Sequence, residues 1–248
     1  MKKLLYILVV FSVFSCDDKD AWDCIQTAGS AVTQELIVDP FEKIHVNSDI
    51  ELVVKQGQEY KVKIQTRQNL LDAIEVVVID NQLQLTNQTS CNFVRDYGLT
   101  KMIVTTPVLK EIRSSTQYLT SSIGVLTFED LQLLSEDYNS GYISSGDFNL
   151  NVDTQSLKVV ANKLSEFTIS GTTETLSVGF YAGLCAFKGA DLIAQDITVF
   201  QRSSHDIIVN PQQSLRGDIR SVGDVISVQT PPVVEVQEYY TGRLLFLD

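Results

Sequence analysis

Histidine is scarce in this 248-residue chain: only His45 and His205 occur, far apart in sequence, which leaves little from which to build a His-based metal or catalytic centre. Positive charge is also in short supply. Lys and Arg number 19 against 31 Asp and Glu, the net charge is -12, and no basic stripe occurs. A phosphate backbone would be repelled, so nucleic-acid binding is excluded. No G-x-S-x-G, H-E-x-x-H, C-x-x-C, Walker or dinucleotide motif is present. His205 and Asp206 are adjacent, and neighbours on a strand point to opposite faces, so they cannot act together on one substrate atom. The expectation is a protein without catalytic residues, cofactor or resident metal. No apolar run approaches the ~20 residues that span a bilayer, and no amphipathic helix of about twelve residues can be drawn. Disorder is excluded too, because 44% hydrophobic residues bury enough surface to offset chain entropy.

What is present begins with an address. Lys2 and Lys3 precede an apolar run of about eleven residues, Leu4 to Phe14, the form of a cleaved signal peptide over residues 1–15. It closes on Val13-Phe14-Ser15-Cys16, which resembles a bacterial lipobox. Phe14 is bulkier than strict patterns prefer, but the looser patterns of Bacteroidetes lipoproteins accept it. That resemblance implies cleavage before Cys16 and acylation of its sulfur and nitrogen, with the membrane as a partner through lipidated Cys16. Several buried acyl chains, at ~0.8 kcal/mol per CH₂, make such attachment effectively permanent. Losing Lys2 and Lys3 with the leader takes the charge from -12 to -14. Asp17-Asp18-Lys19-Asp20 follows, similar to the surface-export signals of Bacteroidetes lipoproteins and equally to a plain solvated tether; residues 16–35 are assigned to lipidated cysteine and tether. The expected location is the cell envelope, as an outer-membrane lipoprotein, with either face of that membrane open.

Three cysteines remain outside the cytoplasm, and three cannot all pair within one chain. Cys24 opens the folded part and Cys91 lies in the polar stretch Asn87 to Asn92, both loop-like positions suited to a disulfide. Cys185 sits in the apolar segment Phe180 to Phe187 and reads as a small buried hydrophobe. Trp22, the only tryptophan, stands beside Cys24.

Residues 36–248 form the predicted folded domain, in two parts. Residues 36–110 read as strands. Ile44 and Val46, then Ile50, Leu52 and Val54, then Val62 and Ile64 alternate with polar residues, the period of half-buried strands. Gln56-Gly57-Gln58 is a turn, Asn69 to Ile74 a single helical turn, and Asp80-Asn81-Gln82 a hairpin turn between Val76–Ile79 and Leu83–Thr86. Residues 111–248 carry a repeat. Small or polar turns lead into Ile143, Phe167, Ala186, Ile207, Val225 and Leu244, spaced 24, 19, 21, 18 and 19 residues apart. Interleaved with them, apolar-x-apolar units begin at Leu131, Leu157, Leu176, Ile197, Leu215 and Val234, spaced 26, 19, 21, 18 and 19 apart. Two elements sharing one drifting period of about twenty predict coils that bury their apolar faces by stacking. The predicted fold class is all-β: a right-handed parallel β-helix or β-solenoid, with an N-terminal strand region packed onto it.

The turns Asn139-Ser140-Gly141-Tyr142-Ile143 and Val222-Gly223-Asp224-Val225 resemble the degenerate G-S-G-[DN]-[IV] repeats of the GIN domain family, the adhesin head domain. Phe41-x-x-Ile44, Ile50-Glu51-Leu52, Gln56-Gly57, Asn69-Leu70-Leu71 and Leu83-Gln84-Leu85 agree in order, as does the stretch Cys91 to Tyr97, so the likeness covers residues 36–246. Glycine is missing from Ser165-Glu166-Phe167 and Leu184-Cys185-Ala186. The resemblance implies an extracytoplasmic β-solenoid acting as an adhesin or binding module, its ligand a glycan or a protein. The alternatives are a periplasmic structural or regulatory protein and a carbohydrate-active β-helix enzyme. For the last, Glu166, Asp206 and Asp224 each precede an aligned apolar position and should form an outward acidic column, interrupted by Cys185 and flanked by Tyr142 and Arg243. Exposed carboxylates about 5 Å apart on adjacent strands are either a solvated face or a weak cation site. Tyr138, Tyr142, Tyr181, Tyr239 and Tyr240 fall in or near the turns, placed to touch a ligand or to pack between coils. Oligomeric state is left open, with an unpaired apolar edge expected at Leu244 to Leu247.

Overall fold

The structure is a computed structural model that describes residues 23–89, 91–136 and 143–247. The expected signal peptide over residues 1–15, Cys16, Trp22, Tyr138 and Tyr142 lie outside the described residues. The protein is all-β, 61% strand against 4% helix, so side-chain parity along strands decides what is buried. The N-terminal part contains β1 (Ala31–Ile37), β2 (Lys43–Asn47), β3 (Ile50–Gln56), β4 (Lys61–Arg67), β5 (Ile74–Ile79), β6 (Gln82–Asn87) and β7 (Thr100–Thr106). Then follow β8 (Glu111–Ser115), β9 (Thr120–Leu126), β10 (Asp130–Ser135), β11 (Phe148–Ala161), β12 (Glu166–Phe180), β13 (Ala186–Gln201) and β14 (Ile207–Ile219). Three short strands, β15 (Val225–Ser227), β16 (Val233–Glu238) and β17 (Leu244–Phe246), end the chain. All belong to one sheet that curls into a half-barrel around one apolar cluster running from Phe41 to Val225.

The sheet has two walls. In one, β6, β2, β8, β10 and the second half of β11 pair in parallel. In the other, β7, β3, β9 and the first half of β11 do the same. The long strands β11 to β14 cross from wall to wall. Along β11 the buried positions are Phe148, Leu150, Val152 and Thr154, then Leu157, Val159, Val160 and Ala161. Parity flips between Thr154 and Leu157, where the strand turns the corner, and β12 turns in step with it so that the register between the two is unbroken. The same flip separates Thr173 from Leu176 in β12, and the Thr154 hydroxyl donates to Thr173 Oγ1 at 3.0 Å across the two corners.

The interleaved apolar units align as their spacing predicts. Leu131 pairs with Leu157, Leu157 with Leu176, Leu176 with Ile197, Ile197 with Leu215, and Leu215 with Val234. The longer step into Ile197 comes partly from a bulge, since Thr168 pairs with Lys188 but Gly171 with Leu192. The first predicted column needs two corrections. Its members are Phe148, Phe167, Phe187, Ile207, Val225 and Leu244. Ile143 is not among them; it is 68% exposed, in a connection longer than the other turns. Ala186 faces outward opposite Glu166, one residue before the inward Phe187. Phe148 and Phe167 stack with ring centroids 4.7 Å apart inside the core.

The N-terminal region holds the predicted turns. Asp80 and Asn81 take φ of 50° and 63°, the left-handed pair that closes a two-residue β5–β6 hairpin. Gln68–Ala73 is a short 3-10 turn, with Leu70 buried. The boundary drawn at residue 35 falls too late, because β1 begins at Ala31 and pairs antiparallel with β4. It lacks a clean alternation because it is an edge strand with only Val32 and Leu36 half-buried. Among the described residues no helix is long and apolar enough to cross a membrane.

Candidate functional surface

The acidic column exists, but its carboxylates are engaged in holding the turns. Register places Asp147, Glu166, Ala186, Asp206, Asp224 and Arg243 one above another, each just before an inward residue. Asp147 Oδ1 accepts the Glu166 N–H at 2.9 Å, Asp206 Oδ1 the Asp224 N–H at 2.8 Å, and Asp224 Oδ1 the Arg243 N–H at 2.7 Å. Each of these carboxylates thus caps the amide of the next coil. Glu166 instead pairs with Lys188 at 2.7 Å. The residue breaking the column is Ala186 and not Cys185, which is buried. Among the described residues no group of three or more His, Cys, Asp or Glu is arranged to hold a metal ion.

A second feature of the surface is a stripe of rings and guanidinium. Tyr181, Arg202 and Arg220 each follow a buried residue at the end of their strand, Tyr239 follows Glu238 at the matching register, and the N–H groups of all four donate to the coil before at 2.7 to 3.0 Å. Tyr181 lies 5.2 Å from the Phe200 ring. Arg220 stands over Tyr239 at 4.0 Å and over Phe200 at 5.8 Å. Asp218 Oδ2 accepts from Arg220 Nη2 at 2.7 Å and Nε at 3.1 Å, which fixes the guanidinium plane and pushes its pKa up further. The Tyr239 hydroxyl donates to Gln237 at 2.8 Å. Gly179 leaves room beneath Tyr181, whose ring lies 3.1 Å from where a Cβ would stand. The rings therefore pack from coil to coil, yet Tyr181 remains 47% and Tyr239 53% exposed. Such a row offers flat apolar faces beside a fixed cation, which suits stacking against sugar rings or aromatic groups. Tyr240 is exposed alongside, completing the described members of the expected tyrosine set.

Sequence reading missed Phe200, Arg220 and Asp147. The signal was available, for Tyr181, Phe200, Arg220 and Tyr239 recur at nearly the coil period, but ring and guanidinium types do not match under a hydrophobicity pattern.

Cys24 and Cys91 form the expected disulfide, and Cys185 is free and buried, its thiol pushed up to about 11 by desolvation. An open cavity of about 220 Å³ lies at the corner between Pro107–Lys110 and Thr127–Asp130, floored by Leu109 and Phe128.

The fold has solved counterparts. A crystal structure of a "putative adhesin" from Bacteroides fragilis superposes with TM-score 0.80 at 19% identity, covering 89% of this chain and 99% of that one. A "putative lipid binding protein" from Parabacteroides distasonis gives 0.67 at 17% identity over 90% and 99% of the two chains. A "putative adhesin" from Parabacteroides merdae gives 0.58 at 14% over 90% and 98%. A comparison with curated proteins finds no match. The family described as "putative auto-transporter adhesin, head GIN domain" matches residues 40–231, most of the repeat and the strands before it, and the chain belongs to that family.

Proposed function

We propose that this protein is a non-enzymatic binding module of the bacterial cell envelope, an adhesin held on the outer membrane by acyl chains on Cys16. Its long strands are read as coils of a right-handed parallel β-helix, about twenty residues per coil. The ligand is a glycan chain laid along the turns. The observation that carries this reading is the surface row Tyr181, Phe200, Arg220 and Tyr239. Each ring is fixed by its neighbour, so little rotamer entropy is lost on binding. The carboxylates of Asp147, Asp206 and Asp224 are committed to backbone amides, which argues against an acid–base pair on that column. The names of the structural neighbours point the same way.

The test is a glycan panel probed with mature protein, followed by titration of Tyr181→Ala and Tyr239→Ala. Stacking contributes about 1 kcal/mol per ring, so each variant should bind about fivefold more weakly, while the lost coil-to-coil ring contact lowers stability by about 1 kcal/mol without unfolding the protein. Wild-type affinity in the folded double variant would refute the stripe as the site. Protease shaving of intact cells addresses location: protection until the outer membrane is broken would favour a periplasmic structural role.

A further inference from the structure

The loop between β6 and β7 is built inside out. Phe93 is 77% exposed, Val94 58% and Tyr97 71%, whereas Arg95 between them is only 8% exposed. Transfer energies favour the reverse arrangement in water. The inversion is enforced by polar contacts. Arg95 donates to the Gln26 carbonyl at 3.1 Å and to the Cys91 carbonyl at 2.8 Å. The Asn92 side chain clasps Arg95 from both sides, accepting its N–H at 2.8 Å and donating to its carbonyl at 2.9 Å. The Phe93 N–H donates to the Cys24 carbonyl at 2.9 Å, beside the Cys24–Cys91 bridge. The loop cannot fold its apolar residues inward without giving up these bonds. Large apolar side chains held rigidly outward signal a surface that something covers.

The covalent connection indicates what covers it. The loop is stapled to Cys24, and Cys16 precedes Cys24 by eight residues, a span of at most ~28 Å when fully extended. The point where acyl chains would enter a bilayer is therefore within short reach of Phe93. We propose that Phe93, Val94 and Tyr97 insert into the interfacial layer of the membrane that holds the Cys16 acyl chains, setting the sheet with its β6–β7 side toward lipid. This rests on the lipid-anchor reading of Cys16. Aromatic residues with one polar tip favour that depth, and an apolar wedge adds orientation to an anchor that by itself only tethers. The net charge, -12 for the full chain and -14 without Lys2 and Lys3, makes an apolar contact the available mode, since an acidic protein gains nothing from anionic headgroups.

The test uses the full mature chain reconstituted in phosphatidylethanolamine–phosphatidylcholine vesicles, with Trp22→Phe so that one introduced tryptophan reports. Phe93→Trp places the reporter on the loop, and Leu245→Trp places it on β17 at the far end of the sheet. Intact mass first establishes whether Cys16 is acylated. Brominated acyl chains should then reduce the emission of the Phe93→Trp variant by about half, as contact at the interface requires, and leave that of the Leu245→Trp variant unchanged. An acylated Phe93→Trp chain that floats with vesicles but shows no quenching overturns the docking and leaves the anchor standing. Equal quenching in the two variants overturns the orientation. A mature chain without acyl mass on Cys16 overturns the anchor and the docking with it.

Discussion

Gly217 occupies a place where the repeat calls for valine. Val159, Val178, Val199, Gly217 and Val236 stand opposite one another in successive coils. Restoring the repeat with Gly217→Val looks stabilising from sequence, since a buried valine contributes about 1.5 kcal/mol. The structure predicts the opposite. Gly217 has φ of +137°, and a Cβ there would overlap the Val199 carbonyl oxygen and lie 2.8 Å from its carbonyl carbon. A β-branched residue at that φ costs about 2 kcal/mol. Relieving the overlap parts β13 from β14 and sacrifices one or two ladder hydrogen bonds, about 1 kcal/mol each. After the hydrophobic gain the variant should be about 2 kcal/mol less stable, lowering Tm by about 4–8 °C for a chain of this size. Guanidinium and thermal unfolding followed by circular dichroism measure it. Gly217→Ala meets the same overlap without the β-branch and should lose nearly as much. If Gly217→Val is as stable as the wild type, the close approach of the two coils is not a constraint and the argument fails.

Asp206→Ala should lower stability by about 1 kcal/mol by stripping the Asp224 amide of its acceptor, whereas Asp206→Asn keeps an oxygen there; equal loss in both would mean that the charge and not the cap matters. Opening the Cys24–Cys91 bridge, which closes a separation of 67 residues, should cost up to about 4 kcal/mol in the chain-entropy model, read as a lower denaturation midpoint for the double serine variant. The buried Cys185 thiol, raised from 9.0 to about 11, should resist alkylation at pH 8 until the protein unfolds. Because its folded pKa is the higher one, its contribution is complete below pH 9.0 and is lost as pH rises toward 11. A flat stability profile across that window in the wild type, matched by Cys185→Ala, would refute it.

Legibility in the sequence followed side-chain parity. The column Leu131, Leu157, Leu176, Ile197, Leu215 could be read because each unit sits mid-strand, where alternation is strict and inward positions must be aliphatic. The parallel column from Phe148 to Leu244 was half legible because it begins directly after a turn. A turn signature fixes the strand start only to within a residue, and a shift of one moves Ala186 into the place of Phe187. β1 was missed at its start for a related reason: an edge strand buries little, so its hydrophobic pattern is weak. The candidate site obeyed a different logic. The acidic residues announced themselves by spacing, yet their role depends on which atom faces each oxygen, and here that atom is a backbone N–H, which no side-chain pattern records. The ring–guanidinium stripe is the converse case. A guanidinium interrupts its rings, so no single residue class marks it; the coil register aligns Tyr181, Arg202, Arg220 and Tyr239, and Phe200 joins them from two residues before Arg202. A stacked sheet of this kind fixes its core by repetition and leaves the residues just outside each turn free to vary, because they touch only the coil above and below. Binding specificity in this protein should therefore map to substitutions at those turn-flanking positions, and exchanging Tyr181, Arg220 and Tyr239 should change what is bound while the core columns keep the protein folded, at a loss of about 1 kcal/mol for each ring contact given up.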